Sequence, residues 1–538
     1  MPRESDEFSP EMHVPAEREA VEARISSPSR KEDGEDDKGE EDEKEPRAGL
    51  SVERKLSQKL RESSGGRCSE INQERLMTRL ANRLAAMALT DEKYLRATPA
   101  SRVIERAGRA LRPGTHVCFE HSRQVKEISK FLSHSWQSSP LWKLVTLQMF
   151  YNWKVAALAS NLLALLAMIM SSYGFLPPMY ERTPRFGEPM MAGVWATSIG
   201  MLSFVLVWAF RPPRDMIFLD RICINQADAK QRGEGLVNLG ACLRCSKNLL
   251  VIWDETYCRR LWCLFEIAAY LKTHEDSTLL VQPLILTQFV VSLFVLNFVL
   301  WGLNMVMVYD SVFTIPLYVL GTSAYGWLIA RNVLQYSKSF DSINSQLQNI
   351  EFEKAECYCC SVDHTGPQGQ SFPCDRFCIR RCVQLWFGSV EEFEKSVQTR
   401  VKDVLSRQFS DRICPYPLLI ITMLPFLWIQ LDYAADWFAQ GDNSAGVATM
   451  IFGVVLPVVN HPILIAPVLR VVRSLPQSCP HILQQILGSA VFVVISLTTQ
   501  AAYQLSIDSF GLLLGILIFC VSLLIPNALL WRCAMRLY

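Results

Sequence analysis

The sequence has no Gly-rich phosphate loop, no kinase motif set and no HExxH pair, so ATP-driven transport and zincin proteolysis find no support in it. Net charge is nearly absent: 54 Lys and Arg stand against 53 Asp and Glu, and no nucleic-acid partner is expected. Aromatic residues are missing from residues 1 to 70 apart from Phe8, and that stretch holds the run KEDGEDDKGEEDEKEPR, too charged to bury a core. A disordered acidic tail is expected there, with an acidic interaction arm as the alternative. Because this N-terminal stretch is charged and polar, no secretory signal is expected ahead of the first apolar run.

Charge is missing in a second way. Half of the 538 residues are apolar and a fifth are charged, but the apolar ones gather in eight long runs almost free of charge: 153 to 173, 190 to 210, 283 to 308, 312 to 331, 417 to 438, 446 to 469, 482 to 506 and 510 to 531. A helix of roughly 20 such residues crosses a hydrocarbon core about 30 Å thick. A buried core helix explains one such run, not eight. The connections inside the hairpins (between the first two runs, Tyr309 to Ser311, Ala439 to Ala445 and Ile507 to Ser509) carry only Arg182 and Arg185 as basic residues. Arg211, Arg214, Arg331, Arg470, Arg473, Arg532 and Arg536 lie near span ends on the other side, so both termini are expected in the cytosol.

Between the tail and the later runs lies material for a soluble domain. ERLMTRLANRLAAMAL, from Glu74 to about Leu89, has helical amphipathic spacing and is expected to cover the soluble domain, with the membrane surface as the alternative. Ile128 to Trp136 and Asp215 to Cys223 each read as a short apolar strand entering a polar loop. Two spans separate them, which returns the chain to its starting side, so both strands can join one sheet. A helix from about Gly235 to Ser246, a strand LLVIW and a helix from about Arg260 to Lys272 follow. This alternation predicts a small parallel α/β sheet.

FLSHSW, FLDRICINQ and SKNLLVIWDETYCRRLWCLFEIA resemble the first-strand, second-strand and third-helix signatures of Toll/interleukin-1 receptor (TIR) domains over about 90 residues. The whole layout resembles a group of algal, dinoflagellate-type multi-pass proteins with a TIR-like segment, a Cys-rich CDR segment and a trailing FGS-EEFE motif. Here the last two stand as Pro373-Cys374-Asp375-Arg376 and Trp386-Phe387-Gly388-Ser389-Val390-Glu391-Glu392-Phe393-Glu394. The resemblance implies two classes. Some TIR domains cleave NAD, and the family's catalytic Glu falls on Glu266; a carboxylate suits the oxocarbenium character that develops as nicotinamide leaves. Ser133, Asp220 and Arg221 would then line the substrate site at the carboxyl ends of the strands, and Trp262 would stack on a base or pack in the core. Most TIR domains instead work as assembly modules that meet other TIR domains. In this chain a membrane hairpin replaces the usual first helix.

Seventeen cysteines argue for reduced thiols or metal ligands. Cys357, Cys359, Cys360, His364, Cys374, Cys378 and Cys382 cluster, and Cys357, Cys359, His364 and Cys374 can supply the four ligands of a structural zinc; free or acylated thiols are the alternative. Cys374, Cys378 and Cys382 also recur every four residues, on one face of a helix. Within the apolar runs Asp432, Asp436 and the interruption Asn460-His461-Pro462 mark a possible transport path. The expected fold is an α-helical multi-pass membrane protein of about eight spans with a small cytosolic α/β parallel-sheet, TIR-like domain. The expected function is membrane-anchored signalling or assembly through self-association or TIR partners; a TIR-type NAD hydrolase and a channel or transporter are the alternatives.

Overall fold

A computed structural model of the chain describes residues 74–114, 119–182, 190–306, 314–365, 373–409, 416–476 and 478–535. The acidic tail, residues 183–189 of the first hairpin connection and the connection Tyr309 to Ser311 lie outside these residues. The described part is mostly helical around one six-stranded sheet. Its strands are β1 Arg96–Pro99, β2 Arg123–Gln124, β3 Ile128–His134, β4 Met216–Phe218, β5 Ser246–Trp253 and β6 Leu279–Pro283, in the order β2-β1-β4-β3-β5-β6. The four central and far strands β4, β3, β5 and β6 run parallel, while β1 is antiparallel to both its neighbours.

The two strands expected on either side of the first two apolar runs do pair, Lys130 beside Ile217 and Phe131 beside Phe218. The second is shorter than expected. It ends at Phe218, and Asp220 opens a one-turn helix, Asp220–Cys223, where an acidic residue favours the exposed N–H groups of the first turn. Strand β5 is apolar from Leu249 to Trp253 and buried throughout, as a central strand covered on both faces must be. The helix expected from Gly235 to Ser246 is two pieces, Ala229–Val237 and Leu239–Arg244. Asn238 sits at the joint, where its side chain exchanges two 2.8 Å hydrogen bonds with Thr90. The helix expected from about Arg260 is α3, Leu261–Thr273.

All eight apolar runs coincide with helix over most of their length. Among the described residues α1 (Pro140–Ser172) and His481–Phe510 are long and apolar enough to cross a membrane, and Tyr416–Thr422 with Leu424–Ala439 makes a third if that pair, bent by 49°, is one span. Trp195–Phe210, Leu284–Val299, Asn443–Pro457 and Leu512–Leu523 are shorter apolar helices. Helix α1 starts 13 residues before its apolar run, so one rigid rod leads from the carboxyl end of β3 into that run. Helix α2, Trp195–Phe210, starts later than expected, because Met190–Ala192 pairs with Tyr180–Arg182 as a small hairpin. Asn152 of α1 locks the other end of α2 by donating to the carbonyls of Trp208 and Arg211, both at 3.0 Å. Strand β6 passes directly into an apolar helix, Leu284–Val306.

The cysteine-rich segment folds against the sheet domain. Its helices are α4, Asp375–Phe387, and α5, Val390–Phe409, joined at Gly388, whose φ of +88° suits glycine. The helix over 74–85 lies along α4: the Trp386 indole donates to Ala85 O at 2.9 Å, and the thiols of Cys382 and Cys378 face Ala81 O and Met77 O. The same helix approaches Gly240 so closely that a Cβ there would stand 3.0 Å from Leu84 O. It thus bridges the cysteine-rich segment and the sheet domain.

Candidate functional site

The parallel strands follow one another in the chain as β3, β4, β5, β6, yet β4 and β5 lie on opposite sides of β3. Such a reversal opens a crevice at the carboxyl ends of the strands on either side of it, here β3 and β5. Ser133, His134 and Trp136 come to this edge from β3, Asp220 and Arg221 from beyond β4, and Asp254 and Tyr257 from beyond β5. The structure therefore brings Ser133, Asp220, Arg221 and Glu266 to one edge of the sheet.

Glu266 projects from α3 and hydrogen-bonds the Ser133 hydroxyl, which also contacts the Tyr257 hydroxyl. Burial pushes the Glu266 carboxyl up to about 8, with the Asp220 charge adding to the rise and the Ser133 hydrogen bond opposing it. Asp220 accepts from the backbone N–H of Arg221 at 2.7 Å and from the Trp136 indole at 3.2 Å; burial raises its carboxyl as well. The Arg221 guanidinium lies 5.2 Å from the centre of the Trp136 ring. His134 is buried, and burial together with the nearby charges of Lys143, Arg221 and Arg260 holds it well below the usual imidazole range. His134, Trp136, Asp254 and Tyr257 were not singled out by the motif reading, though each ends or follows within four residues an apolar strand; position at a strand's carboxyl end was the signal available.

Trp262 is engaged elsewhere. Its indole N–H donates to Asp375 Oδ2 at 3.1 Å and its ring stands edge-on to Phe265, 5.5 Å away. Glu356 meets the same edge: its N–H donates to Arg259 O and its carbonyl accepts from Leu261 N, while its carboxylate accepts from Gln137 at 2.9 Å. The cysteine-rich segment is thus fastened across the start of α3. Two clefts among the described residues lie away from Glu266, one of about 320 Å³ bordered by Trp142, Gln288, Asn332 and Tyr336, and a far smaller one bordered by Tyr94, Phe218 and Cys242.

The second constellation is the cysteine cluster itself. Cys359, Cys360, His364 and Cys374 bring their ligand atoms within 4.8 Å of one another, a group able to hold a metal ion. The expected set changes in one member. Cys357 stands outside the four, 3.2 Å from Cys359 and grouped with Cys359 and Asp375, while Cys360 takes its place. The reason lies in the backbone: Tyr358–Ser361 forms one helical turn, which turns Cys360 toward His364 and Cys374. Cys378 and Cys382 belong to the helix face packed on 74–85 and do not join. Among the described residues none of the cysteines is in a disulfide.

The acidic residues of the apolar helices do structural work. Asp432, on Leu424–Ala439, accepts from the N–H groups of Ala196 and Thr197 at 2.7 and 2.9 Å, and Asp436 accepts from Gly193 N at 3.3 Å. Both carboxylates are buried at the start of α2 and cap its N-terminus from a neighbouring helix. The chain is not broken at Asn460-His461-Pro462; the single helix Asn443–Ser474 runs through it, and the side chains of those three residues lie outside the described ones. No family model, curated protein or solved structure matches this chain.

Proposed function

We propose that the chain is a membrane-anchored assembly protein whose sheet domain, TIR-like in its motifs, is held at the cytosolic face by about eight helical spans, with both termini on that side. One observation carries the assembly reading over catalysis: the groups that a TIR-type hydrolase would use are engaged within the protein, Glu266 by Ser133 and Trp262 by Asp375. Further support comes from the rods that leave the sheet. Helix α1 follows β3 after five residues and the helix from Leu284 follows β6 at once, an economical way to transmit a domain contact to the spans, or the reverse. Asp432 and Asp436 serve as helix caps in this reading and need no transported ion. A structural zinc belongs to the same proposal, as the brace of the cysteine-rich segment over α3.

NAD hydrolysis stands as the second reading because Glu266, with its carboxyl raised to about 8, sits beside the strand reversal where α/β sheets bind ligands. NAD consumption by the full-length protein in nanodiscs, beside Glu266→Ala, separates the two. The assembly reading expects no turnover in either sample and concentration-dependent particles larger than the monomer by mass photometry. Turnover that disappears in Glu266→Ala would replace it with the hydrolase.

A further inference from the structure

We infer that Cys359, Cys360, His364 and Cys374 bind one zinc ion, and that this ion fixes the cysteine-rich segment across the start of α3. The inference rests on the zinc brace proposed above and specifies its ligands, and its test reads metal rather than assembly or NAD cleavage, so either can fail alone. A tetrahedral zinc with sulfur at about 2.3 Å and nitrogen at ~2.0–2.1 Å sets sulfur–sulfur edges of about 3.8 Å and sulfur–nitrogen edges of about 3.5 Å. The cluster has Sγ–Sγ edges of 4.0 Å for Cys359–Cys360 and 3.9 Å for Cys360–Cys374, and Cys360 Sγ stands 3.6 Å from His364 Nε2. These three edges, which meet at Cys360 Sγ, are close to those of a zinc tetrahedron, and the other three lie within 4.8 Å. Three thiolates and an imidazole form a soft donor set that selects zinc over magnesium or calcium.

The backbone around the cluster is shaped to present these atoms. Asp363 and His364 have φ of +49° and +57°, a left-handed pair that non-glycine residues adopt at a cost. That bend, closed by His364 N donating to Cys359 O at 2.7 Å, carries the imidazole back onto Cys360. The Asp375 N–H donates to Cys359 Sγ at 3.3 Å, a backbone contact of the kind that orients a metal thiolate. Asp375 also holds the Trp262 indole through its carboxylate, so the ligand shell connects to α3, four residues before Glu266, through a single residue. Arg376 ties the approach to the cluster by donating to the carbonyls of Phe352, Glu353 and Ala355.

The test is the metal content of the full chain, purified in detergent without chelator, measured by inductively coupled plasma mass spectrometry. One zinc per chain is expected. Cys360→Ser and His364→Ala are expected to lose most of it, while Cys357→Ser and Cys378→Ser keep it. Because a ligand variant can fail to fold, wild-type protein is also reconstituted with cobalt, whose absorption should show tetrahedral d–d bands and thiolate charge transfer. Hydrogen exchange before and after chelation reads the brace: faster exchange is expected in Asp375–Phe387 and Leu261–Thr273, with β5 unchanged. Zinc at background in the wild type, full zinc in Cys360→Ser, loss in Cys357→Ser equal to that in Cys360→Ser, or exchange indifferent to chelation would each overturn the proposal.

Discussion

At the scale of single residues, the same side chain type serves opposite ends depending on its surroundings. Glu266 is a carboxyl kept protonated by burial, held at about 8 against an ordinary 4.5. Between those values the folded protein keeps a proton that the unfolded chain has released, so stability is full below about 4.5 and declines as pH rises toward 8. Glu266→Gln keeps the hydrogen-bonding shape and removes the titration. The difference in thermal midpoint between variant and wild type should therefore grow from pH 5 to pH 8 in the variant's favour, by roughly a few degrees; a constant difference would show that Glu266 titrates normally. Asp432 acts in the reverse sense, as an acceptor for two N–H groups at the start of α2. Its replacement by Ala should cost about 1–2 kcal/mol, read as a lower unfolding midpoint in detergent, with Asp432→Asn restoring only part of it because the amide has one acceptor oxygen where the two N–H groups use both. The residues Ser133, Asp220, Arg221 and Glu266 were legible because a motif resemblance named them, whereas Trp262 and Cys357 were read from motif and spacing without the partners, Asp375 and Cys359, that decide what they touch.

At the scale of elements, packing decides boundaries that hydropathy leaves open. The apolar run of α1 starts at about Trp153, but the helix starts at Pro140, since Pro at the first helical position needs no N–H partner and Lys143, Leu144 and Leu147 are buried against the sheet domain. Helix α2 is anchored at both ends by side chains from other helices, Asp432 at its start and Asn152 at its end, and crosses Leu424–Ala439 at Gly200. A Cβ at Gly200 would lie 2.6 Å from the Trp428 ring. Gly200→Val should therefore separate the two helices at a cost of about 1–3 kcal/mol, measured as a lower midpoint with the sheet domain's exchange protection unchanged. A second element-level contact is the indole of Trp262 on Asp375. Trp262→Phe leaves a smaller aromatic ring without the N–H and removes about 1 kcal/mol of hydrogen bonding, so amide exchange across Asp375–Phe387 should quicken severalfold; unchanged exchange would mean that the segment is held by its apolar contacts alone.

At the scale of the whole molecule, the sheet, the cysteine-rich segment, the first turns of α1 and the helices Leu284–Val306 and Thr314–Gln348 share one continuous core, while the apolar part of α1 and α2 pack with Leu424–Ala439 in another. That continuity gives the proposed topology a sharp test. Membrane-impermeant thiol labelling of Ser101→Cys and of Gly441→Cys, each read as the increment over the wild type with its native cysteines, in intact cells and after permeabilisation, should rise only for Gly441→Cys before permeabilisation and for both afterwards. Equal labelling of both in intact cells would remove the eight-span arrangement, because Gly441 lies in a hairpin connection and Ser101 in the sheet domain.

Read along the chain, the residues set the material of each part: which runs are apolar and helical, which stretches alternate strand and helix, and which residue types crowd together between 357 and 382. These follow from local hydropathy and periodicity, which act over a few turns of chain. Tertiary structure alone decided the pairings that reach across the chain. Strands β3 and β4 meet although the helices α1 and α2 separate them, Asp432 caps a helix more than 200 residues earlier, and Cys360 rather than Cys357 joins His364 and Cys374. Strands β1, β2 and β6, of which β2 and β6 are the edges, are four, two and five residues long, too short to carry a periodic signal, and their hydrogen-bond partners are supplied by the neighbouring strands they lie against. A carboxylate, a thiol or a four-residue strand has no local pattern that names its partner; the partner is fixed only when folding brings distant segments within hydrogen-bonding reach.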